Sequence, residues 1–367
     1  MFAKSTPVSK PQAVSTTSAS QQTKTEIELN EYNFETSKII SSLSTFTQKG
    51  ITEFTVHDKS IARNKKAILE LFAAVQKNCP QIFLTVPVEA NIIDRQLIQA
   101  AQEINVSLEI PVTGTVKGSA LLFDKKLYSS KAALLNQAEL VFGFNMEYGI
   151  QTGDTYKLFR DRLDFAVSLY PNHIDFEQLA SVPQTDGASA QTADSSAKPT
   201  GIYSSKDLDY SRDIAFACST FYTNGRAVPW FNTILKPLKI TPSAFFADFA
   251  EWQRCSSCSI EKGFNPEETS HKELEKMQLV FLEQKYEEKH KENLFLAVQD
   301  LVKLNGAFSR LVSDGLEEII ETTYSPDDLL SPQSYDLVRF CDNACYEDCT
   351  VKIFQNDDFP DYKILDR

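Results

Sequence analysis

Seven cysteines are the most reactive side chains of this sequence, and five of them are regularly spaced. Cys341, Cys345 and Cys349 follow a Cys-x3-Cys-x3-Cys pattern near the C-terminus. On a helix, residues at i, i+4 and i+8 share one face, so three thiolates could converge on a metal ion or an iron–sulfur cluster. Acidic neighbours would raise the thiol pKa values, and reduced thiols on a surface-proximal helical turn are the alternative interpretation.

A second pair of cysteines, Cys255 and Cys258, is separated by two residues. This spacing is that of half a zinc site or of a redox pair, and an ordinary loop after Trp252 is the alternative. Cys79 and Cys218 are predicted to be small buried hydrophobic residues. An odd cysteine count without a secretory signal indicates reduced thiols and a cytoplasmic location.

These side chains must be positioned by secondary structure, and the first half of the sequence alternates between strands and helices. Runs of β-branched and aromatic residues predict strands at 51–57, 82–88, 106–112, 140–146 and 173–176. Helices are predicted at 39–46, 68–79, 94–104, 125–137 and 155–169. Such alternation predicts βαβ units and a parallel sheet, and near-continuous apolar runs predict that both of its faces are covered.

Polar residues follow these predicted strands, where the working residues of parallel folds lie. The ends of the strands offer Asp58, Glu89, Glu109 and Asn145, a polar rim suited to a small molecule. Glu53 with Asp58, or Glu89 with Glu109, could also act as general acid and base. The sequence has four histidines: His57 and His173 are predicted at or beside the rim, and His271 and His290, among charges, in solvent.

Composition divides the chain into four segments and excludes several classes of protein. A Ser/Thr/Gln-rich tail at 1–26 and a polar linker at 182–200 are predicted to be disordered or flexible. The linker separates an α/β domain at 27–181 from a mostly helical domain at 201–367, which includes predicted helices at 211–221, 242–252, 268–290 and 294–320 and a strand at 350–354. A net charge of −13 without a basic patch argues against nucleic acid, and the lack of a long apolar run argues against a membrane span.

Four stretches, which follow one another along the chain, resemble those of a known protein family. Residues after the third stretch, as far as Ile174, continue the resemblance. They are Glu53-Phe54-Thr55-Val56-His57-Asp58; Val86-Pro87-Val88-Glu89-Ala90 followed by Ile93-Asp94; Asn145-Met146-Glu147-Tyr148-Gly149-Ile150-Gln151-Thr152-Gly153-Asp154-Thr155; and Phe221-Tyr222-Thr223-Asn224-Gly225-Arg226. The third is similar to Asp-Leu-Ile-x-Gly-Leu-Pro-Gly-Asp-Thr, with Asn145 for Asp, Gln151 for Pro and one extra residue. The fourth is similar to Tyr-Tyr-Asn-Ser-Gly-Arg. Together they resemble the barrel of radical S-adenosylmethionine enzymes, in the cobalamin-binding-type subgroup with a helical C-terminal extension.

This resemblance implies a partial (βα)6 TIM-like parallel barrel that lacks its first strand. It implies S-adenosylmethionine and a [4Fe–4S] cluster as cofactors, and it carries the family's rim positions over to Glu109, Asn145 and Gly149. The family's Cys-x-x-x-Cys-x-x-Cys loop, which holds the cluster, is absent, since Cys79 is the first cysteine. We expect no N-terminal cobalamin domain either.

Three hypotheses for function follow. The first is a degenerate barrel without its own cluster, non-catalytic alone and retained for binding. The second is an enzyme component completed in trans by a partner chain that supplies the first strand, the cluster and cobalamin. The third is an unrelated α/β interaction protein. For the segment from Phe221 to Phe231, a helix end followed by aromatic packing is favoured over a ligand platform.

Overall fold

The computed structural model of the chain describes residues 43, 50, 52–180, 197–357 and 359–366. These residues form two compact units that meet in sequence between Gly153 and Asp154. The N-terminal unit includes residues 52–153, and the C-terminal unit includes residues 154–180 and those described after 196. The predicted tail, most of the predicted linker, and the helix at 39–46 apart from Leu43 lie outside the described residues. The domain boundaries at 181 and 200 stay predictions.

The N-terminal unit alternates between strands and helices, close to the predicted order. Its strands are β1 (Glu53–Thr55), β2 (Phe83–Pro87), β3 (Asn105–Pro111), β4 (Thr115–Lys117), β5 (Ala120–Leu122) and β6 (Val141–Met146). Its α-helices are α1 (Lys65–Asn78), α2 (Arg95–Gln102) and α3 (Lys125–Gln137), and short 3-10 helices span Lys59–Arg63 and Ala90–Ile92. Each α-helix begins where a side-chain oxygen accepts a backbone N–H of the first turn, from Asn64, Asp94 and Asp124 respectively.

The parallel strands of the N-terminal unit follow the order β1–β2–β3–β6. Strand β7, His173–Phe176, belongs to the C-terminal unit. The register places Thr55 beside Thr85, Thr85 beside Ser107, and Glu109 between Pro87 and Gly143. The predicted α/β class is confirmed. The count of six strand–helix units, with the first strand missing, stays a prediction.

The four strands of the N-terminal unit have two chemically different faces. Successive side chains of a strand alternate between faces, and laterally paired residues share one. One face is apolar and buried: Phe54, Leu84, Val86, Val106, Leu108, Ile110, Phe142, Phe144 and Met146. The other, which we call the polar face, carries Glu53, Thr55, Phe83, Thr85, Pro87, Asn105, Ser107, Glu109, Pro111, Val141, Gly143 and Asn145. The prediction that both faces of the sheet are covered stays a prediction for the polar face.

The C-terminal unit is mostly helical, as predicted. Its α-helices are α4 (Tyr156–Ser168), α5 (Glu177–Ala180), α6 (Ser205–Cys218), α7 (Phe231–Leu238), α8 (Pro242–Cys255), α9 (His271–Glu288), α10 (Phe295–Asp314), α11 (Pro326–Leu329) and α12 (Leu337–Asn343). A π-helix spans Ser219–Asn224, and 3-10 helices span Ile260–Lys262, Glu292–Leu294 and Pro332–Tyr335. Strands β8 (Glu318–Thr322), β9 (Cys349–Asn356) and β10 (Phe359–Asp366) form an antiparallel sheet in the order β10–β9–β8.

Phe221 lies at the centre of an aromatic cluster in this unit. Its ring makes edge contacts with five other rings, those of Trp230, Phe231, Phe245, Phe249 and Phe281. The side chain is 1% exposed and belongs to the π-helix that continues α6. The segment that resembles Tyr-Tyr-Asn-Ser-Gly-Arg is therefore part of the core of this unit. The predicted aromatic packing is confirmed within the unit, and packing of this segment against the barrel stays a prediction.

The helix predicted from Leu294 to Ile320 is shorter in the structure. Helix α10 ends at Asp314 because Gly315 adopts a left-handed conformation with φ of 67°, which favours glycine. Residues 318–322 then form strand β8. No helix of the described residues is long and apolar enough to cross a lipid bilayer.

Candidate functional site

The polar face of the N-terminal sheet gathers hydrogen-bond acceptors on adjacent strands. It carries two carboxylates, three hydroxyls and two amides, from Glu53, Glu109, Thr55, Thr85, Ser107, Asn105 and Asn145. None of the twelve face residues is Lys, Arg or His. Because two carboxylates among these residues give the face a negative formal charge, it suits a cationic group or a donor-rich molecule.

Glu109 is the most deeply placed carboxylate of the polar face. It is 8% exposed, and one of its oxygens accepts a 2.9 Å hydrogen bond from the Ser107 hydroxyl. Both residues lie on β3 two positions apart, so their side chains point to the same face. The neighbouring strand fixes the backbone here, since the Val88 N–H donates to the Glu109 carbonyl at 2.8 Å. Glu109 is thus held at a defined position.

Glu53 lies on β1, at the other side of the four strands from Asn145. Partial burial raises the pKa of the Glu53 carboxyl above its ordinary value. A carboxyl group whose ionised form is poorly solvated gains from a cationic ligand, because the ligand supplies the charge that water does not.

Asn145 ends the polar face on β6, and its carbonyl accepts the Val112 N–H at 2.8 Å. The loop after β6 begins two residues later, and Gly149 in this loop has a φ of 67°. The Gln151 side chain accepts a hydrogen bond from the Gly114 N–H at 3.2 Å. This contact ties the loop after β6 to the loop after β3, so the structure brings Asn145 and Gly149 to the same edge as the end of β3.

The β4–β5 hairpin packs against the loop after β6 at Gly153. This glycine has a φ of 82°, and a Cβ atom there would lie 2.5 Å from the Ser119 carbonyl oxygen and 2.9 Å from the Leu121 nitrogen. Such separations are too short for any side chain, so only glycine fits. The loop after β6 therefore has a fixed path beside the hairpin.

Asp58 and Glu89, the other predicted rim carboxylates, both hold the 3-10 helix Lys59–Arg63. Asp58 caps it by accepting the Ser60 N–H at 2.8 Å, and its second oxygen, Oδ2, is buried and makes no hydrogen bond in the described structure. Glu89 accepts a hydrogen bond from the Arg63 guanidinium in an ion pair. These contacts give both residues a structural role, and the predicted role in ligand binding stays a prediction.

The cysteine trio does not lie on one helix. Cys341 is in α12, Cys345 follows the end of that helix at Asn343, and Cys349 begins β9. The helical arrangement assumed for a metal site is therefore wrong, because the chain changes to a strand before the third cysteine. Cys345 is exposed whereas Cys349 is buried, and burial raises the pKa of Cys341. The trio as a metal site stays a prediction without this geometric support.

Cys79, the one cysteine among residues 5–153, also does not fit a [4Fe–4S] cluster. Cys79 is the first cysteine of the sequence, and it is fully buried at the end of α1. A cluster of this family needs three thiolates from one loop. Cys79 and Cys218 are instead buried small hydrophobic residues, which confirms that prediction.

The histidines separate into different environments. His57 is exposed, whereas His173 on β7 has its Nε2 atom 3.5 Å from a carboxylate oxygen of Asp175. His290 is 92% exposed, as predicted. The prediction that His271 lies in solvent is wrong, since it is 7% exposed and contacts Arg310. Charged neighbours in the sequence suggested solvent, but α9 turns this residue towards α10.

Sequence reasoning missed the hydroxyl residues of the polar face, Thr55, Thr85 and Ser107. The signal was a polar residue at every second position: Glu53 and Thr55 on β1, and Ser107 and Glu109 on β3. A period of two indicates a strand with unlike faces. This pattern was less apparent than the short apolar runs beside it.

Comparison with known proteins gives limited similarity. No protein-family profile matches the chain, and no curated protein matches it significantly. Two solved structures of the radical S-adenosylmethionine methyltransferase TsrM from Kitasatospora setae are similar at 14% identity. The form with cobalamin and a [4Fe–4S] cluster bound gives a TM-score of 0.32 over 39% of this chain and 28% of that chain. The form with its tryptophan substrate and a SAM analogue, aza-SAM, bound gives a TM-score of 0.33 over 44% of this chain and 36% of that chain. At these TM-scores the similarity supports no argument about function.

Proposed function

We propose that the chain is a binding protein whose polar face takes a small cationic molecule, with S-adenosylmethionine as the first candidate. The observation that carries the proposal is that two carboxylates, those of Glu53 and Glu109, lie on the polar face of the four strands. The sequence resemblance to radical S-adenosylmethionine enzymes supports the choice of ligand.

The chemistry of the face fits that ligand. S-adenosylmethionine carries a sulfonium and an ammonium group, and either would be stabilised by a carboxylate in a partly buried setting. One carboxylate oxygen of Glu109 would accept a hydrogen bond from the ammonium group, while the other accepts a hydrogen bond from the Ser107 hydroxyl. Thr55, Thr85 and Asn145 offer further polar contacts to the ligand.

In this proposal the chain does no radical chemistry of its own. Cys79 alone among residues 5–153 does not supply a cluster loop, so the proposed role is binding and the proposed fold is a degenerate relative of a catalytic barrel. Completion in trans by a partner chain is the second function proposed from the sequence, and it predicts turnover only when that partner is present.

The test is calorimetric titration of the full chain with S-adenosylmethionine and with S-adenosylhomocysteine, which lacks the sulfonium charge. We expect saturable binding that is weaker for the uncharged analogue. Glu109→Gln should weaken binding by about tenfold or more, because a hydrogen bond to a charged group contributes about 1.5–3 kcal/mol.

The matched control is Glu70→Gln on α1, whose side chain is 50% exposed and lies outside the polar face. Its affinity should equal that of the unaltered chain. Equal binding of both compounds would exclude recognition of the sulfonium charge, and absence of binding of either would refute this ligand class for the chain alone.

A further inference from the structure

We propose that the outer edge of strand β10 pairs with the same edge of a second copy of this chain, antiparallel and centred on Tyr362. This surface lies in the C-terminal unit and is independent of the proposed ligand-binding face. The proposal rests on which backbone groups of β10 point away from its sheet and on the order of charges along the strand.

Strand β10 is an edge strand of eight residues, Phe359–Asp366. It pairs with β9 on one side, and no strand of the described residues lies on its other side. The backbone groups of an edge strand that point away from the sheet are a template for pairing with another chain.

The hairpin connection determines which residues of β10 bond to β9. Strand β9 ends at Asn356 and β10 begins at Phe359, and these two residues lie opposite each other. Across a two-residue connection the closing pair exchanges hydrogen bonds, and bonded pairs then recur at every second residue. The backbone groups of Asp361 and Lys363 therefore point to β9, and those of the residues between them point outward.

The outward residues are Pro360, Tyr362 and Ile364, and two observations agree with this assignment. The Tyr362 N–H donates to the Oδ1 atom of Asp361 at 2.8 Å, a side chain of its own strand. Proline lacks an N–H and is suited to an edge position that would otherwise leave a donor unbonded.

The side chain of Tyr362 fixes the middle of this edge. Its hydroxyl donates to the Asp327 carboxylate, and its ring makes an edge contact with that of Phe308 in α10, with 6.3 Å between the centroids. Because successive side chains of a strand alternate, Asp361 and Lys363 lie on the opposite face of the sheet. The strand therefore presents its outward backbone groups from a held position.

The charges select one register for two antiparallel copies. With the two-fold axis at Tyr362, Asp361 of each copy lies opposite Lys363 of the other. An axis at Asp361 would place two aspartates opposite each other, and an axis at Lys363 would place two lysines opposite each other. Opposite charges at directly opposed positions stabilise a strand pair, and like charges destabilise it. The edge is thus complementary to itself in the register centred on Tyr362.

The position of Lys363 within its own chain favours an acidic partner. Its side chain is exposed, and it lies opposite Lys352 of β9. The Lys352 ammonium is already paired with Glu317, at 2.8 Å. A carboxylate supplied by a second copy would therefore offset a charge that lies beside another cation.

The backbone completes the pairing. The two Tyr362 residues would exchange N–H···O=C bonds, and each Ile364 N–H would donate to the Pro360 carbonyl of the other copy. Asp361 would release the Tyr362 N–H and turn to Lys363 of the second copy, while it keeps the 2.9 Å hydrogen bond from the Asn356 side chain. Because this exchange gives up one hydrogen bond and the edge is short, we expect a weak dimer that depends on concentration.

The test is sedimentation velocity of the full chain over a series of concentrations. We expect the mass to rise from that of one chain to that of two. Asp361→Lys and Lys363→Asp each place like charges opposite each other, and each should raise the dissociation constant of the dimer by about tenfold or more. The double variant Asp361→Lys/Lys363→Asp restores opposite charges and should restore the dimer, which a merely misfolded chain would not do.

The matched control is Lys289→Asp at the end of α9, an exposed position with the same change of charge outside β10. Its dissociation constant should equal that of the unaltered chain. A chain that stays monomeric throughout the series would overturn the proposal, as would a double variant no better than the single ones. Assemblies larger than two chains would also contradict it, because they would indicate head-to-tail pairing, for instance of β10 with β8 of the next copy.

Discussion

The guanidinium of Arg310 donates a 2.9 Å hydrogen bond from Nη1 to Nδ1 of His271. Because arginine cannot accept, Nδ1 must be unprotonated, and the ring proton lies on Nε2, 3.2 Å from the Gly225 carbonyl. The same guanidinium donates to Glu275 at 2.6 Å and to both oxygens of Glu318 at 2.8 and 2.9 Å. The charge of Arg310 is thus balanced by carboxylates while His271 stays neutral.

This arrangement predicts loss of stability in mild acid. Burial, with the nearby charges of Arg226 and Arg310, lowers the pKa of His271 to about 4. The unfolded chain takes up a proton near pH 6.5, whereas the folded chain does not until about pH 4. Neutral His271 therefore contributes fully to the free energy of unfolding above pH 6.5. As the pH falls to 4, this contribution decreases by about 3 kcal/mol in total.

The measurement is the free energy of unfolding by urea across pH 4–7 for His271→Gln and His290→Gln. His271→Gln should reduce the slope of the unfolding free energy against pH by up to about 1.4 kcal/mol per pH unit. His290→Gln should leave it unchanged, since that side chain is 92% exposed. Burial raises the pKa of Glu275, which acts in the opposite direction, and the difference between the two variants isolates the histidine. Equal slopes in both variants would contradict the prediction.

Gly225 permits the close packing of the π-helix end against α9. A Cβ atom here would overlap the Gln278 side-chain nitrogen and the Phe221 carbonyl, which are themselves joined by a 2.8 Å hydrogen bond. Gly225→Ala should therefore cost about 1–3 kcal/mol in the free energy of unfolding, from overpacking and the displaced amide. Thermal or urea denaturation measures it.

Gly201 provides the matched control. A Cβ atom there meets nothing within 4 Å, and the residue is exposed. Gly201→Ala should change stability by less than about 0.5 kcal/mol. Similar losses in the two variants would mean that close packing is not the reason for glycine at position 225.

Asp154 and Arg162 form a buried ion pair in which each side chain is 1% exposed, with 2.8 Å between Oδ2 and Nη2. Asp154→Ala leaves the guanidinium without this partner in a dry setting, and we expect a loss of about 3–5 kcal/mol in the free energy of unfolding. Urea denaturation at neutral pH is the measurement.

The comparison is the Lys66–Glu70 pair, which is exposed and 3.8 Å apart on α1. Glu70→Ala should change the free energy of unfolding by less than about 0.5 kcal/mol, because solvent screens such pairs. A small loss in Asp154→Ala would imply that Arg162 finds another acceptor or that water enters.

Local signals predicted most of the strands and helices described before residue 181. The strand over His173–Phe176 and the helix over Lys125–Gln137 have the predicted bounds. Asp94 begins its helix as predicted, by accepting the Leu97 N–H at 3.1 Å. These features depend on residues a few positions apart, so their pattern is visible in the sequence.

Features that depend on distant contacts were not predictable. His271 and Arg310 are 39 positions apart, and nothing near either residue indicates that α9 and α10 bring them together. Strand β10 and the β4–β5 hairpin were missed because both are short or exposed, with polar residues that also suit loops. The polar face needed the register of several strands, which the sequence does not supply.

The π-helix at Ser219–Asn224 has a consequence for which changes this chain can tolerate. Thr223 in this helix both accepts the Ile174 N–H and donates to the Ile174 carbonyl, each at 3.0 Å, as a strand neighbour would. Deleting one residue would restore an α-helical repeat and rotate everything that follows by about 100° about the axis. Thr223 and Gly225 would then lose their partners together. The length of this segment is therefore under stronger constraint than the identity of most of its side chains.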